Sequence, residues 1–81
     1  MVKVALWGTL QAATGDRAEV EVEAKDVREL LTRLAETYPG LKPQIDRGVS
    51  VSIDGRIYAN TLTVKISPDS EVVLLPRLVG G

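Results

Sequence analysis

Asp26-Val27-Arg28-Glu29-Leu30-Leu31-Thr32-Arg33-Leu34-Ala35-Glu36-Thr37-Tyr38-Pro39-Gly40 is the stretch on which the fold turns. Val27, Leu30, Leu31, Leu34 and Tyr38 fall at i, i+3, i+4, i+7 and i+11, a single stripe of an amphipathic helix. Arg28, Glu29, Thr32, Arg33, Glu36 and Thr37 cover the opposite side. Asp26 is placed to cap the first turn, with Glu29 three residues on to reach back. Pro39-Gly40 ends the helix, because proline disfavours helical geometry at Tyr38 and cannot donate the next hydrogen bond. Leu30, Leu31 and Leu34 are expected to be buried.

One helix cannot bury its stripe alone, and the flanking segments supply strands. Before it, Ala18-Glu19-Val20-Glu21-Val22-Glu23-Ala24 alternates strictly, so Ala18, Val20, Val22 and Ala24 share one face and the glutamates the other. The glutamate row reads as a solvated face rather than a cation site, since such alternation is the normal pattern of a half-exposed antiparallel strand. Met1 to Trp7 is a further strand ended by Gly8, and Thr9 to Arg17 a loop or short helical turn closed by Gly15-Asp16. After the helix, Leu41 to Gly48 is a connection with room for one helical turn. Val49-Ser50-Val51-Ser52-Ile53 and Arg56-Ile57-Tyr58 flank Asp54-Gly55, a strong hairpin signal. Ala59 to Ile66 shows no clear period. Ser67-Pro68-Asp69-Ser70 is a turn, and Glu71 to Leu75 an apolar strand stopped by Pro76. The fold class is therefore α+β: a mixed sheet of four or five strands wrapped around one main helix, with the first and last strands parallel at its centre. Residues 1–76 form the domain, and 77–81 a flexible tail ending in Gly80-Gly81.

The 81 residues are 44% apolar and 26% charged, which places the chain among ordered globular domains rather than disordered ones. The net charge of −1, with both signs scattered, offers no footprint for nucleic acid or an anionic membrane. The opening residues lack the features of a secretory signal, and no apolar run reaches membrane-span length, so a cytoplasmic location is expected. Cysteine and histidine are both absent. That removes thiolate metal sites, a cysteine nucleophile, the commonest general base and the usual partner of a catalytic serine. Catalysis by this chain alone is not expected, and no metal or bound cofactor is. The chemistry lies in the tail. Glycines without β-carbons let a terminal carboxylate enter another protein's narrow active site. Alone, such a tail reads first as a frayed terminus. A strand, a proline and Gly-Gly on a one-helix, mixed-sheet domain of this size change that reading.

With these elements in order, the whole chain resembles the ubiquitin-like sulfur carriers (MoaD/ThiS-like), and especially the small subunit of molybdopterin synthase. The residues that carry the resemblance are Met1-Val2-Lys3-Val4, the capped helix, Val51-Ser52-Ile53-Asp54-Gly55, and Ser67-Pro68-Asp69-Ser70-Glu71-Val72-Val73-Leu74-Leu75-Pro76 with the Gly80-Gly81 end. The resemblance implies a β-grasp (ubiquitin-like) fold and a cycle on Gly81. An E1-like enzyme uses ATP to adenylate Gly81, a sulfur donor converts it to a thiocarboxylate, and the sulfur passes to an acceptor. In molybdopterin synthase a large subunit holds the tail, and the acceptor becomes the dithiolene of the molybdenum cofactor. Gly80 would thread the tail, and Pro76, Arg77, Leu78 and Val79 would meet the partner. Where the family often has aromatic residues and a second proline, this chain has Leu74-Leu75 and Arg77. Arg77-Leu78-Val79-Gly80-Gly81 also resembles ubiquitin's own terminus. Carriers for thiamine, cysteine or tRNA thiolation, and protein modifiers, are the alternatives, beside an adaptor that only binds. Trp7 lies out of period with Val2, Val4 and Leu6. It reads equally as cover for a sheet edge or as a partner contact, with Tyr58, Ala59 and Leu75 to join it in an exposed patch.

Overall fold

A computed structural model describes residues 1–59 and 62–76; the tail segment expected at 77–81 lies outside the described residues. Five strands, β1 (Val2–Leu6), β2 (Glu19–Val22), β3 (Val49–Ile53), β4 (Arg56–Ala59) and β5 (Val72–Pro76), form one sheet in the order β2-β1-β5-β3-β4. Three helices, α1 (Thr9–Ala12), α2 (Val27–Thr37) and α3 (Lys42–Arg47), complete the described chain together with a 3-10 turn at Pro39–Leu41. This is the β-grasp arrangement.

β5 sits in the middle. It runs parallel to β1, pairing Val4, Ala5 and Leu6 with Val72, Val73 and Leu74, and antiparallel to β3, pairing Val51 with Leu74 and Ile53 with Val72. Its apolar run matches that position, since a central strand has neighbours on both sides and a helix over one face. The β3–β4 hairpin turns through Asp54 and Gly55 at φ 51° and 88°, the two left-handed residues of a type I′ turn. Its two-residue loop fixes the register Ile53 to Arg56, Ser52 to Ile57 and Val51 to Tyr58.

α2 lays its stripe on one face of this sheet. Val27, Leu30 and Leu34 are buried against Val2, Val4, Leu6, Val20, Val22, Val51, Ile53, Val72 and Leu74. Asp26 caps the helix, its Oδ1 accepting from the Glu29 N–H at 2.8 Å, and Glu29 Oε1 accepts in return from the Lys25 N–H at 3.2 Å. The periodless stretch finds its role at the same helix end. The Val64 and Leu62 carbonyls accept the Val27 and Arg28 N–H groups at 3.0 and 3.1 Å, donors that the helix itself cannot satisfy. Lys65 forms a bridge with Asp26, and Ile66 is buried in the core. Residues 62–66 therefore close the helix N-terminus instead of adding a strand.

Several sequence-based expectations need correction. Leu31 is half-buried, because it lies on the flank of the stripe, where it faces Ile45 of α3 across a small cleft. Ala18 is exposed, since β2 begins only at Glu19 and the chain at Ala18 is still bending out of the preceding loop. Leu41 to Gly48 is more helical than expected: Pro39 opens the 3-10 turn and Pro43 sits in the first turn of α3, where its missing N–H costs nothing. Pro76 does not stand after the last strand but closes it, opposite Val49. A strand end tolerates proline, as the ladder needs no further donor there.

Leu34 has no exposed surface. Leu34→Ala is expected to lower unfolding stability by about 2–5 kcal/mol, and Asp26→Ala by about 0.5–2 kcal/mol. Denaturant titrations followed by circular dichroism check both.

Candidate functional site

Alternation divides each strand between two faces of the sheet. The side chains opposite α2 are Lys3 and Ala5 of β1, Glu19 and Glu21 of β2, Val73 and Leu75 of β5, Ser50 and Ser52 of β3, and Ile57 of β4. Register confirms the set: Ala5 pairs with Glu19 and Val73, Ser52 with Val73 and Ile57, and Ser50 with Leu75. No described helix covers this outer face. Trp7 extends the same set beyond β1, its N–H donating to the Leu74 carbonyl at 3.2 Å as the parallel ladder continues. Trp7 and Ile57 are each 58% exposed, and Val73 is half-buried between them.

The expected patch is thus assembled differently. Trp7 is exposed, as its phase implied. Tyr58 lies on the other face: it pairs with Val51 and is half-buried beside Val27, Leu31 and Leu62. Ile57 takes the outer position instead. Period two, counted back from the Asp54-Gly55 turn, carries the signal that could have found it. Leu75 does belong to the outer register but is only 7% exposed, so it offers a partner little surface. Ala59 pairs with Ser50, which puts it in the outer register. Gly80, Gly81, Arg77, Leu78 and Val79 lie outside the described residues.

Pro76 ends β5 and is the last described residue. Beside it, Thr9, Gln44, Arg47, Gly48, Val49 and Pro76 line an open cleft of about 390 Å³. Its wall is tied together by side-chain hydrogen bonds, Thr9 Oγ1 donating to Gln44 Oε1 at 2.8 Å and Gln44 Nε2 donating to the Thr9 carbonyl at 3.1 Å. Gly8 holds Trp7 close to the same point. Its φ of 61° with ψ of −133° is a backbone region open essentially to glycine alone, and a Cβ there would stand 3.2 Å from Pro76 Cγ. The root of the tail, the exposed Trp7 and the outer face therefore form one continuous end of the molecule. Among the described residues no three carboxylates, cysteines or histidines come together as a metal site, and no helix is long and apolar enough to cross a membrane.

The family model of the ThiS family matches residues 4–81, nearly the full sequence. The chain belongs to the ThiS family. That places it among the ubiquitin-like sulfur carriers. Solved structures agree on the fold. Small archaeal modifier protein 1 from Methanosarcina acetivorans is 25% identical with a TM-score of 0.80, covering 99% of this chain and 95% of that one. CysO from Mycobacterium tuberculosis is 19% identical with a TM-score of 0.79, covering 96% of this chain and 100% of that one. A chain of the Amycolatopsis orientalis BexX/CysO complex is 20% identical with a TM-score of 0.78, with each chain fully covered. No protein of curated function matches the sequence. As a ThiS-family domain, the chain carries the carrier fold with its last described strand ending at Pro76.

Two substitutions separate the outer face from its support. Trp7→Ala, at an exposed site, is expected to change stability by no more than about 0.5 kcal/mol. Gly8→Ala is expected to cost about 1–3 kcal/mol through backbone strain. Thermal and denaturant melts measure both.

Proposed function

We propose that this protein is a sulfur carrier that works through the α-carboxylate of Gly81, as the sulfur-donating small subunit of a molybdopterin synthase. The observation that carries the reading is the membership of residues 4–81 in the ThiS family together with a central strand that ends at Pro76, five residues before Gly81. An E1-like partner supplies the activation. A carboxylate oxygen of Gly81 attacks the α-phosphorus of ATP, pyrophosphate leaves, and an acyl-adenylate forms. Sulfide-level sulfur, released as hydrosulfide by a donor protein, then attacks the acyl carbon; AMP departs with the C–O electron pair, the S–H proton is lost to water, and a thiocarboxylate remains. The chain's own part is to bind, to present the tail and to keep it narrow: Gly80 and Gly81 carry no β-carbon that would collide with a tunnel shaped for bare backbone. Arg77, Leu78 and Val79 then lie along the tunnel, and Pro76 and Trp7 stand at its mouth. The choice of molybdopterin as destination rests on the sequence resemblance to the synthase small subunit. The presence of a structural relative in the BexX/CysO complex supports a carrier that acts within a two-protein assembly.

A second reading has a specific observation in its favour. The likeness to small archaeal modifier protein 1, at 25% identity over 99% of the chain, supports use of the same activated Gly81 as a protein modifier. In that case an amine replaces the sulfur nucleophile at the acyl-adenylate.

Deleting Gly81 is expected to leave the melting temperature unchanged and to abolish ATP–pyrophosphate exchange by the cognate E1-like enzyme. Intact-mass analysis of protein isolated with its sulfur system should show Gly81 as the terminal residue, with a fraction in which one oxygen is exchanged for sulfur. Restoration of molybdopterin synthesis by that thiocarboxylate, mixed with a synthase large subunit, identifies the acceptor. Isopeptide-linked Gly-Gly remnants on cellular lysines, without molybdopterin synthesis, would assign the modifier reading instead.

A further inference from the structure

β2 and β4 are the two edges of the sheet, and their side chains treat an incoming strand differently. On β2 the outer positions are Glu19 and Glu21, both exposed. Two copies of β2 paired antiparallel about a two-fold axis would set glutamate opposite glutamate in every register that keeps the sheet faces aligned, and like charges directly opposite repel. That edge is closed to its own kind. β4 carries no acidic residue, and among the described strands its far side pairs with nothing. Ile57 stands 58% exposed on it.

The β3–β4 register fixes what that far side offers. A two-residue turn closes on a hydrogen-bonded pair, here Ile53 with Arg56, and bonded and non-bonded pairs then alternate. Arg56 and Tyr58 therefore direct their backbone groups to β3, and Ile57 directs its N–H and C=O outward. By the same alternation Ile57 lies on the outer face, while Arg56 and Tyr58 share the face of α2. A second β4, antiparallel about a two-fold axis through Ile57, satisfies all three residues. The partner's Ile57 exchanges both backbone bonds with Ile57 and covers its exposed side chain. The partner's Tyr58 lies opposite Arg56, and the partner's Arg56 opposite Tyr58. Arg56 is exposed with no salt bridge to a described residue, and Tyr58 is only half-buried, so each guanidinium has a ring to meet. Centring the pair on Arg56 would oppose two like charges, and centring it on Tyr58 would part Arg56 from the ring. Pairing β4 with β2 of another copy brings no compensation, since the glutamates and Arg56 lie on opposite faces.

We infer that the chain forms a weak two-fold dimer through β4, joining its five-stranded sheet to that of a second copy. The contact is isologous and closed. It consumes the β4 edge of both copies and leaves only acidic β2 edges outside, so growth stops at two. One short strand falls below the roughly 1,200–2,000 Å² of a stable interface, which makes the dimer reversible and dependent on concentration. β3 separates β4 from β5, so Pro76 takes no part in the contact. The inference is independent of the carrier reading.

The test is sedimentation velocity of the full chain from micromolar to millimolar concentration, joined to cysteine trapping. Wild type is expected to pass from monomer to dimer across that range. Ile57→Lys, which sets two ammonium groups against each other, is expected to weaken association about tenfold, and Arg56→Glu about fivefold. Both sites are exposed, so melting temperatures matching wild type exclude misfolding as the cause. The sequence has no cysteine, so Ile57→Cys adds a single thiol. In a hydrogen-bonded pair the two Cα atoms stand about 5.5 Å apart, within disulfide reach. Under mild oxidation that variant is expected to cross-link about tenfold faster than Glu21→Cys, an exposed thiol on the guarded edge. A chain that stays monomeric at millimolar concentration, a dimer indifferent to both substitutions, or equal cross-linking of the two thiols would each overturn the inference. So would a dimer abolished by Trp7→Ala and kept by Ile57→Lys, which would move the contact to another part of the surface.

Discussion

Val4, Ala5 and Leu6 pair in parallel with Val72, Val73 and Leu74, and every other placement in the molecule follows from that contact. Parallel neighbours cannot be joined by a tight turn; their connection must cross the sheet. Here it contains everything between the two strands: the β2 return, α2 over one face, α3, and the β3–β4 hairpin on the far side. Putting the first and last strands side by side makes β5 central, and its Val72 and Leu74 complete the apolar floor on which Leu30 and Leu34 rest. The same pairing puts the end of β5 beside the end of β1. Trp7 and Pro76 are neighbours for that reason, although sixty-nine positions apart in the sequence.

The two sheet faces of this small domain divide its surface between stability and exposure. Burial of the α2-facing residues supplies the stability, and little else is available in a single small core. The outer face is therefore left to be satisfied by something else. An exposed tryptophan and isoleucine on a sheet are affordable in a monomer only as a limited patch. The acidic border of that patch keeps the edge strand β2 from pairing with another chain, since unpaired strand edges bearing charged side chains resist association. One row of glutamates thus guards that edge.

Much of this was legible in the sequence because local chemistry and global fold agree there. The stripe from Val27 to Leu34, the Asp26 cap, the Asp54-Gly55 turn and the apolar β5 are each specified by a few adjacent residues, and each forms as read. The misreadings fall where a residue's neighbours come from elsewhere. Leu31 belongs to the stripe by period, but α3 does not close fully over its flank, so it stays half-buried. Residues 62–66 have no period because their carbonyls answer to the N-terminus of α2, an arrangement with no signature of its own. Tyr58, with Ala59, is expected to join Trp7 in one exposed patch. The hairpin register is stricter than that expectation: a two-residue turn leaves Ile57, not Tyr58, on the outer face. Leu75 shows the reverse case, with its face assigned by alternation but its cover supplied only in three dimensions.

Because stability and recognition occupy opposite faces, they can be altered independently. Substitution of Val72 or Leu74 opens a cavity against α2, whereas Glu19, Ile57 and Glu71 are exposed and their substitution is expected to cost little. A fold built in this way can keep its backbone path while its outer face and tail are rewritten for different partners. That is the physical sense of a shared architecture at a quarter sequence identity or less. It also locates specificity. Under the proposed carrier reading, an acyl-adenylate at Gly81 does not discriminate among sulfur or amine nucleophiles by itself. What distinguishes one carrier from another is which protein is within reach of the tail when the adenylate forms. On the proposed reading, that choice falls to the surface around Pro76, where Trp7 stands exposed beside Gly8.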